Sequence, residues 1–253
     1  MRRVASLRYG VIFKKAFGDV DVFKGFVRDI LGIHLEIDQV ETEKEFKPAI
    51  GSVAVKFDLY AVDEKNRVIV EIQHERHVDH YDRFLHYHCV GLLEQVKNSI
   101  NYRPKLTVYT IAVLTSGDRH QCDVAVIDFD PKTLAGKPLN EIKHKIIYLC
   151  PRYLNESTPE PYREWLQIIE DSLDNQIDES QYHLAEIRKA IEHIEENDVS
   201  PEEKARMIEE SYFEENVVGI ARKMLAKGFD IPVIMELTSL DEQTILNIEK
   251  ERQ

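Results

Sequence analysis

Along the first part of the chain, apolar residues recur at three- and four-residue spacing. Val11, Ile12, Phe13, Ala16 and Phe17 form one stripe, and Val22, Phe23, Phe26, Val27, Ile30 and Leu31 form a second. That period is helical, and Gly18 and Gly32 fall where helices end, so two helices are predicted. The period then shortens. LEIDQVETEKEF alternates apolar with acidic residues, while SVAVKFDLYAV and RVIVEIQ are short and rich in β-branched residues, so three strands are expected, the last two joined by the turn DEKN. HVDHYDRFLHYHCVGLLEQV returns to helical spacing, with Tyr81, Phe84, Leu85, His88, Cys89, Leu92, Leu93 and Val96 on one stripe. LTVYTIAVLT, DVAVIDF and KIIYLC read as further strands, which makes residues 1–153 an α/β core.

After CPRYLNESTPEPYREW every segment reads as helix, and Pro151, Pro159 and Pro161 mark the passage into an all-helical region, residues 154–253. The last stretch, IARKMLAKGFDIPVIMELTSLDEQTILNIE, has a helix-turn-helix rhythm with its turn at Thr238–Leu240. Its final helix carries Asp241, Glu242, Glu249 and Glu251, an acidic face that DNA would repel, so a packing or oligomer role is expected there.

Composition adds three things. With 43% hydrophobic and 31% charged residues over 253 positions, the chain can bury a sizeable core and is soluble in character. No apolar run approaches the ~18–20 residues of a membrane span, and MRRVASLRYGVIFKKAFG breaks its apolar positions with charges, unlike a signal peptide. Cys89, Cys122 and Cys150 are far apart with no CxxC pair, which argues against a disulfide framework or thiolate zinc site and fits a reducing cytoplasm.

The net charge of −13 speaks against nucleic acid when taken whole, but it is unevenly placed. Residues 1–110 hold 17 Lys and Arg against 16 Asp and Glu, whereas residues 111–253 hold 16 against 30. The first half can therefore meet phosphate, the more so where metal covers some of its carboxylates.

The candidate chemistry lies on the hairpin. Asp58 interrupts an apolar strand, and Glu71 and Gln73 occupy alternate positions of the next. If the turn is symmetric about Glu64–Lys65, Asp58 lies opposite Glu71 and Lys56 opposite Gln73 on one face. Two carboxylates so placed repel each other unless a cation lies between them, and hard oxygen donors suit Mg²⁺. A polar face on a half-exposed hairpin is the plainer alternative.

The segment FDLYAVDEKNRVIVEIQHERHVDHYDRFLHYHCVGLLEQV resembles the PD-(D/E)XK nuclease superfamily, in its transposase-like, recombination-promoting nuclease branch, over residues 9–150. The resemblance implies a restriction-endonuclease-like core, a mixed sheet flanked by helices, acting as an endonuclease on DNA. It further implies Asp58 and Glu71 as ligands of Mg²⁺, with Mn²⁺ as substitute, and Gln73 as the residue that assists the attacking water. Gln73 stands where the superfamily has Lys, which leaves room for a DNA-binding or assembly module without the reaction. Lys56 is the residue expected to supply the missing ammonium, and Arg83 and Tyr87, one helical turn apart, are candidate DNA contacts. A homodimer is the candidate assembly. A rival from another class is a structural metal protein built on His74, His77, His80, His86 and His88.

Overall fold

The computed structural model describes residues 1–46, 54–74, 80–95 and 103–250. In chain order the elements are β1 (Arg2–Arg3), α1 (Gly10–Phe17), α2 (Val20–Leu31), β2 (Glu41–Phe46), β3 (Val55–Val62), β4 (Asn66–Gln73), α3 (His80–Leu93), β5 (Thr107–Leu114), β6 (Val124–Asp128), β7 (Lys145–Leu149), α4 (Glu160–Ser172), β8 (Gln176–Ile177), α5 (Ala185–His193), α6 (Pro201–Ala226), α7 (Ile231–Thr238) and α8 (Glu242–Lys250). The helix boundaries follow local chemistry. Asp19 caps α2 by accepting from the amides of Asp21 and Val22, and Gly32 closes it at φ 68°, a conformation that costs a residue without Cβ little. Ser200 and Glu203 form a reciprocal capping box at the start of α6.

Six strands form one mixed sheet in the order β2-β3-β4-β5-β7-β6. β2, β3 and β4 run antiparallel, β4, β5 and β7 run parallel, and β6 returns antiparallel along β7. β1 and β8 pair separately as a two-residue ladder that the sequence pattern did not suggest. β2 is shorter than expected: it begins at Glu41, and Leu35 and Ile37, both buried, precede it outside any strand.

Helices cover both faces. On one face, Leu59, Ala61, Val68, Val70, Ile111 and Val113 join α1, α2, α4 and α5 in a single core. Trp165 of α4 is fully buried there, 5.3 Å from the Phe26 ring and 5.8 Å from the Phe17 ring, with its indole N–H donating to Asp29 Oδ2 at 2.8 Å. On the other face α3 packs through Phe84, His88 and Gly91; a Cβ added at Gly91 would stand 3.1 Å from Ile69 Cδ1, so the helix approaches the sheet closely there. Leu93, expected on the buried stripe, is 48% exposed at the end of α3, and Val96 lies outside the described residues.

The helical region does not form one body. α4 and α5 belong to the core beside α1 and α2, whereas α7, α8 and the C-terminal half of α6 share a separate cluster around Ala221, Ile234, Leu240, Ile245 and Ile248. The whole is an α/β restriction-endonuclease-like core with a helical C-terminal region. No helix among the described residues is long and apolar enough to cross a membrane.

Candidate active site

The β3–β4 hairpin adopts the register that symmetry about Glu64–Lys65 implies: Val62 faces Arg67, Ala61 faces Val68, Tyr60 faces Ile69 and Leu59 faces Val70. Asp63 fixes the turn by accepting from the amides of Lys65 and Asn66 at 2.8 and 2.6 Å. The regular ladder stops one step before Asp58 and Glu71. There the side chains take over the pairing. The amide of Asp58 donates to Glu71 Oε1, and the amide of Ile72 donates to Asp58 Oδ2, both at 3.1 Å. Each acid is thus anchored on the opposite strand by a main-chain amide, and each keeps a second oxygen outside those bonds.

The two acids differ in surroundings. Glu71 is 4% exposed, and burial, followed by the nearby Asp58 carboxylate, pushes its carboxyl well above the usual range. Lys14 and Arg83 act in the opposite sense, favouring the charged form. Asp58 opens into a cavity of about 560 Å³ lined also by Arg8, Lys14, Glu43, Gln73 and His74. The outer wall of that cavity is α6, through Arg206, Glu209, Glu210, Phe213 and Glu214, and Glu210 Oε2 accepts the Gly10 amide of α1 at 2.9 Å.

Two residues that sequence reasoning missed stand beside Asp58. Lys14, in the last turn of α1, holds its ammonium 3.5 Å from Asp58 Oδ1 and pairs with Glu43. Glu43 lies on β2, whose register with β3 pairs Thr42 with Leu59 and Lys44 with Phe57, so Glu43 falls opposite Asp58 where the ladder is interrupted. Its φ of 58° is left-handed, a strained conformation for a residue with a side chain. A signal was present only for Glu43, as an acidic residue within an alternating strand.

Lys56 requires a correction. It was expected across from Gln73, but β3 has parted from β4 by that point; Lys56 pairs across with Glu45 of β2 and directs its amine to Glu43. Gln73 is 8% exposed at the end of β4 and reaches the same cavity as Asp58. Arg83 and Tyr87 do share a face of α3, with Arg83 Nη2 donating to Tyr87 Oη at 3.3 Å and the guanidinium 5.5 Å from the ring.

Among the described residues the histidines do not converge. His74 Nδ1 meets Thr115 Oγ1 at 2.8 Å, His80 Nε2 lies 3.1 Å from Asp118 Oδ1, and His88 Nδ1 meets Thr110 Oγ1 at 2.9 Å. His86 is exposed, and His77 lies outside the described residues. Among the described residues no group of three or more His, Cys, Asp or Glu side chains is placed to hold a metal; an ion of the Mg²⁺ kind commonly takes only one or two carboxylates, with water and substrate oxygens beside them. The donor set fits such an ion: two hard carboxylates fixed by the main chain, one of them poorly stabilised as an anion without a cation.

Two family models match the chain: "PD-(D/E)XK nuclease family transposase" over residues 9–216, and "Rpn/YhgA-like nuclease family, C-terminal HTH domain" over residues 214–250. Comparison with curated proteins and with solved structures gives no match. The second match covers the end of α6 with α7 and α8, and a helix-turn-helix domain points to DNA binding where the acidity of α8 had suggested packing. Nucleases of the PD-(D/E)XK type typically use divalent metals. The first match spans most of the chain and runs through every element from α1 into α6, so the protein belongs to the PD-(D/E)XK nuclease family transposases.

Proposed function

We propose that the protein is a DNA endonuclease that hydrolyses phosphodiester bonds with Mg²⁺, for which Mn²⁺ substitutes, held by Asp58 and Glu71. The observation that carries this reading is the exchange of main-chain bonds between the two acids, which holds both carboxylates rigidly at the point where β3 and β4 separate. A buried glutamate beside an aspartate is costly to ionise, and a divalent ion between them removes that cost.

In hydrolysis, a water oxygen bonds to phosphorus, one phosphorus–oxygen bond to a sugar breaks, the water loses a proton and the departing sugar oxygen gains one. The bound ion supplies charge neutralisation at the phosphate and lowers the pKa of water. Asp58 and Glu71 orient the site, and Gln73, at the cavity, offers an amide that can hold the attacking water by hydrogen bonds. The strand-bearing part, residues 1–153, carries this chemistry, and the helical part, residues 154–253, buttresses it and presents DNA through the helix-turn-helix unit. Cys89, Cys122 and Cys150 form no disulfide among the described residues, and a cytoplasmic setting is part of this reading.

Gln73 in place of lysine supports one other reading, a module of the same fold that binds DNA without cutting it. Mn²⁺ binding followed by electron paramagnetic resonance tests the metal assignment: saturable binding that Asp58→Asn or Glu71→Gln weakens at least tenfold is expected. Equal binding by the wild type and both variants overturns it.

A further inference from the structure

We infer that Lys14 supplies, from helix α1, the positive group that the third motif position lacks, and that Glu43 positions it; this rests on the metal-site reading above. Gln73 is neutral, yet the cavity it borders holds an ammonium 3.5 Å from Asp58 Oδ1. Lys14 reaches this point from a helix that the α1–α2 core fixes in place, and its side chain is only 17% exposed. Lys56, the other candidate, pairs with the second oxygen of Glu43, is 52% exposed and is not among the residues that line the cavity.

Glu43 explains how a flexible lysine is aimed. Its two carboxylate oxygens are divided between Lys14 and Lys56, so the ammonium that approaches Asp58 is also held by Glu43. The left-handed backbone at Glu43 breaks the β2–β3 ladder opposite Asp58 and turns this carboxylate toward α1. Left-handed conformations in residues other than glycine are strained and persist where surrounding structure imposes them. With a divalent ion between Asp58 and Glu71, Lys14 would lose its attraction to Asp58 and face the next anion in the cavity, the phosphate being cut. An ammonium there stabilises the charge that grows on the phosphate oxygens as the bond breaks.

The test uses the full chain, supercoiled plasmid and Mg²⁺, with Lys14→Met, Lys14→Arg and Glu43→Gln beside the wild type, and Mn²⁺ affinity measured on each. Lys14→Met should lower kcat at least about 100-fold with KM changed only a few-fold, the loss expected for one electrostatic catalytic group. It should bind Mn²⁺ as tightly as the wild type or more tightly, since a like charge has left the site. Lys14→Arg should recover part of the rate, and Glu43→Gln should lose about tenfold in kcat. A folded Lys14→Met that cuts within threefold of the wild type overturns the inference, and so does a loss of cleavage that tracks a tenfold weaker Mn²⁺ affinity. Should Lys14→Met fail to fold, Glu43→Gln decides, wild-type kcat in that variant overturning the proposal. A wild type that neither binds Mn²⁺ nor cuts overturns the metal-site reading itself and this role with it.

Discussion

The amide of Asp58 donates to Glu71 Oε1 at 3.1 Å, and the amide of the residue after Glu71 donates back to Asp58 Oδ2 at the same distance. The pair therefore closes the hairpin in place of a regular ladder step, and two acids that repel each other are held together by main-chain donors. Main-chain donors hold both side chains in place, at the expense of keeping Glu71 buried.

That expense can be measured. Glu71→Gln keeps an oxygen for the Asp58 amide and removes the carboxyl that burial disfavours. In metal-free buffer at neutral pH the variant should be more stable by about 1 kcal/mol or more, some 2–4 °C in Tm for a chain of this size. A lower Tm in calorimetry would show that the buried carboxylate is satisfied in some other way.

His88 supplies a pH signature unrelated to the candidate site. It is fully buried, bonded to Thr110 Oγ1, stacked on Phe129 at 5.0 Å and 6.2 Å from His144, and burial with that second histidine pushes it down to about 3. The unfolded chain takes up this proton below pH ~6.5 while the folded chain does not, so the stability is complete above pH 6.5 and is lost as pH falls toward 3. Between pH 6.5 and 4.5 this amounts to roughly 2–3 kcal/mol. His88→Gln should flatten that part of the urea-midpoint curve against pH; an unchanged slope would refute the assignment.

Helix α6 is shared by the two family matches, its first half walling the candidate site and its end entering the helix-turn-helix domain. Glu209, Glu210 and Glu214 line the cavity that holds Asp58, so in the proposed function they place negative charge beside the phosphate backbone. Changing all three to Gln should tighten DNA binding roughly tenfold at low salt, with the gain shrinking as ionic strength rises. Equal affinities by fluorescence anisotropy at 50 mM salt would show that α6 does not stand in the DNA path.

Trp165 joins α4 to the α1–α2 layer that carries Lys14. Trp165→Ala should cost about 3–5 kcal/mol, the usual penalty for emptying so large a buried site. A denaturation midpoint close to that of the wild type would mean that α4 is dispensable to the core. For the same reason a chain ending near Tyr153 exposes that layer.

The hairpin was legible because its information is local. DEKN supplies a turn that Asp63 stabilises, strand periodicity sets the faces, and the register of Leu59 with Val70 follows from two-residue arithmetic. The position of Glu43 was not legible, because a left-handed residue inside a strand breaks the alternation on which face assignments depend. Lys56 was misplaced for a related reason: the arithmetic was carried past Leu59, where the strands no longer pair. Lys14 and the α6 wall are tertiary facts, with Lys14 spaced 44 residues and Glu210 spaced 152 residues from Asp58 in sequence.

The most direct measurement of the central claim is nicking of supercoiled plasmid by the wild type, Asp58→Asn and Glu71→Gln, each with Mg²⁺, Mn²⁺, Ca²⁺ or chelator. The wild type should convert plasmid to nicked or linear forms with Mg²⁺ or Mn²⁺, and chelator should abolish the reaction. Both variants, with circular dichroism matching the wild type, should leave the plasmid intact. Cleavage by either variant at the wild-type rate, or by the wild type in chelator, would contradict it.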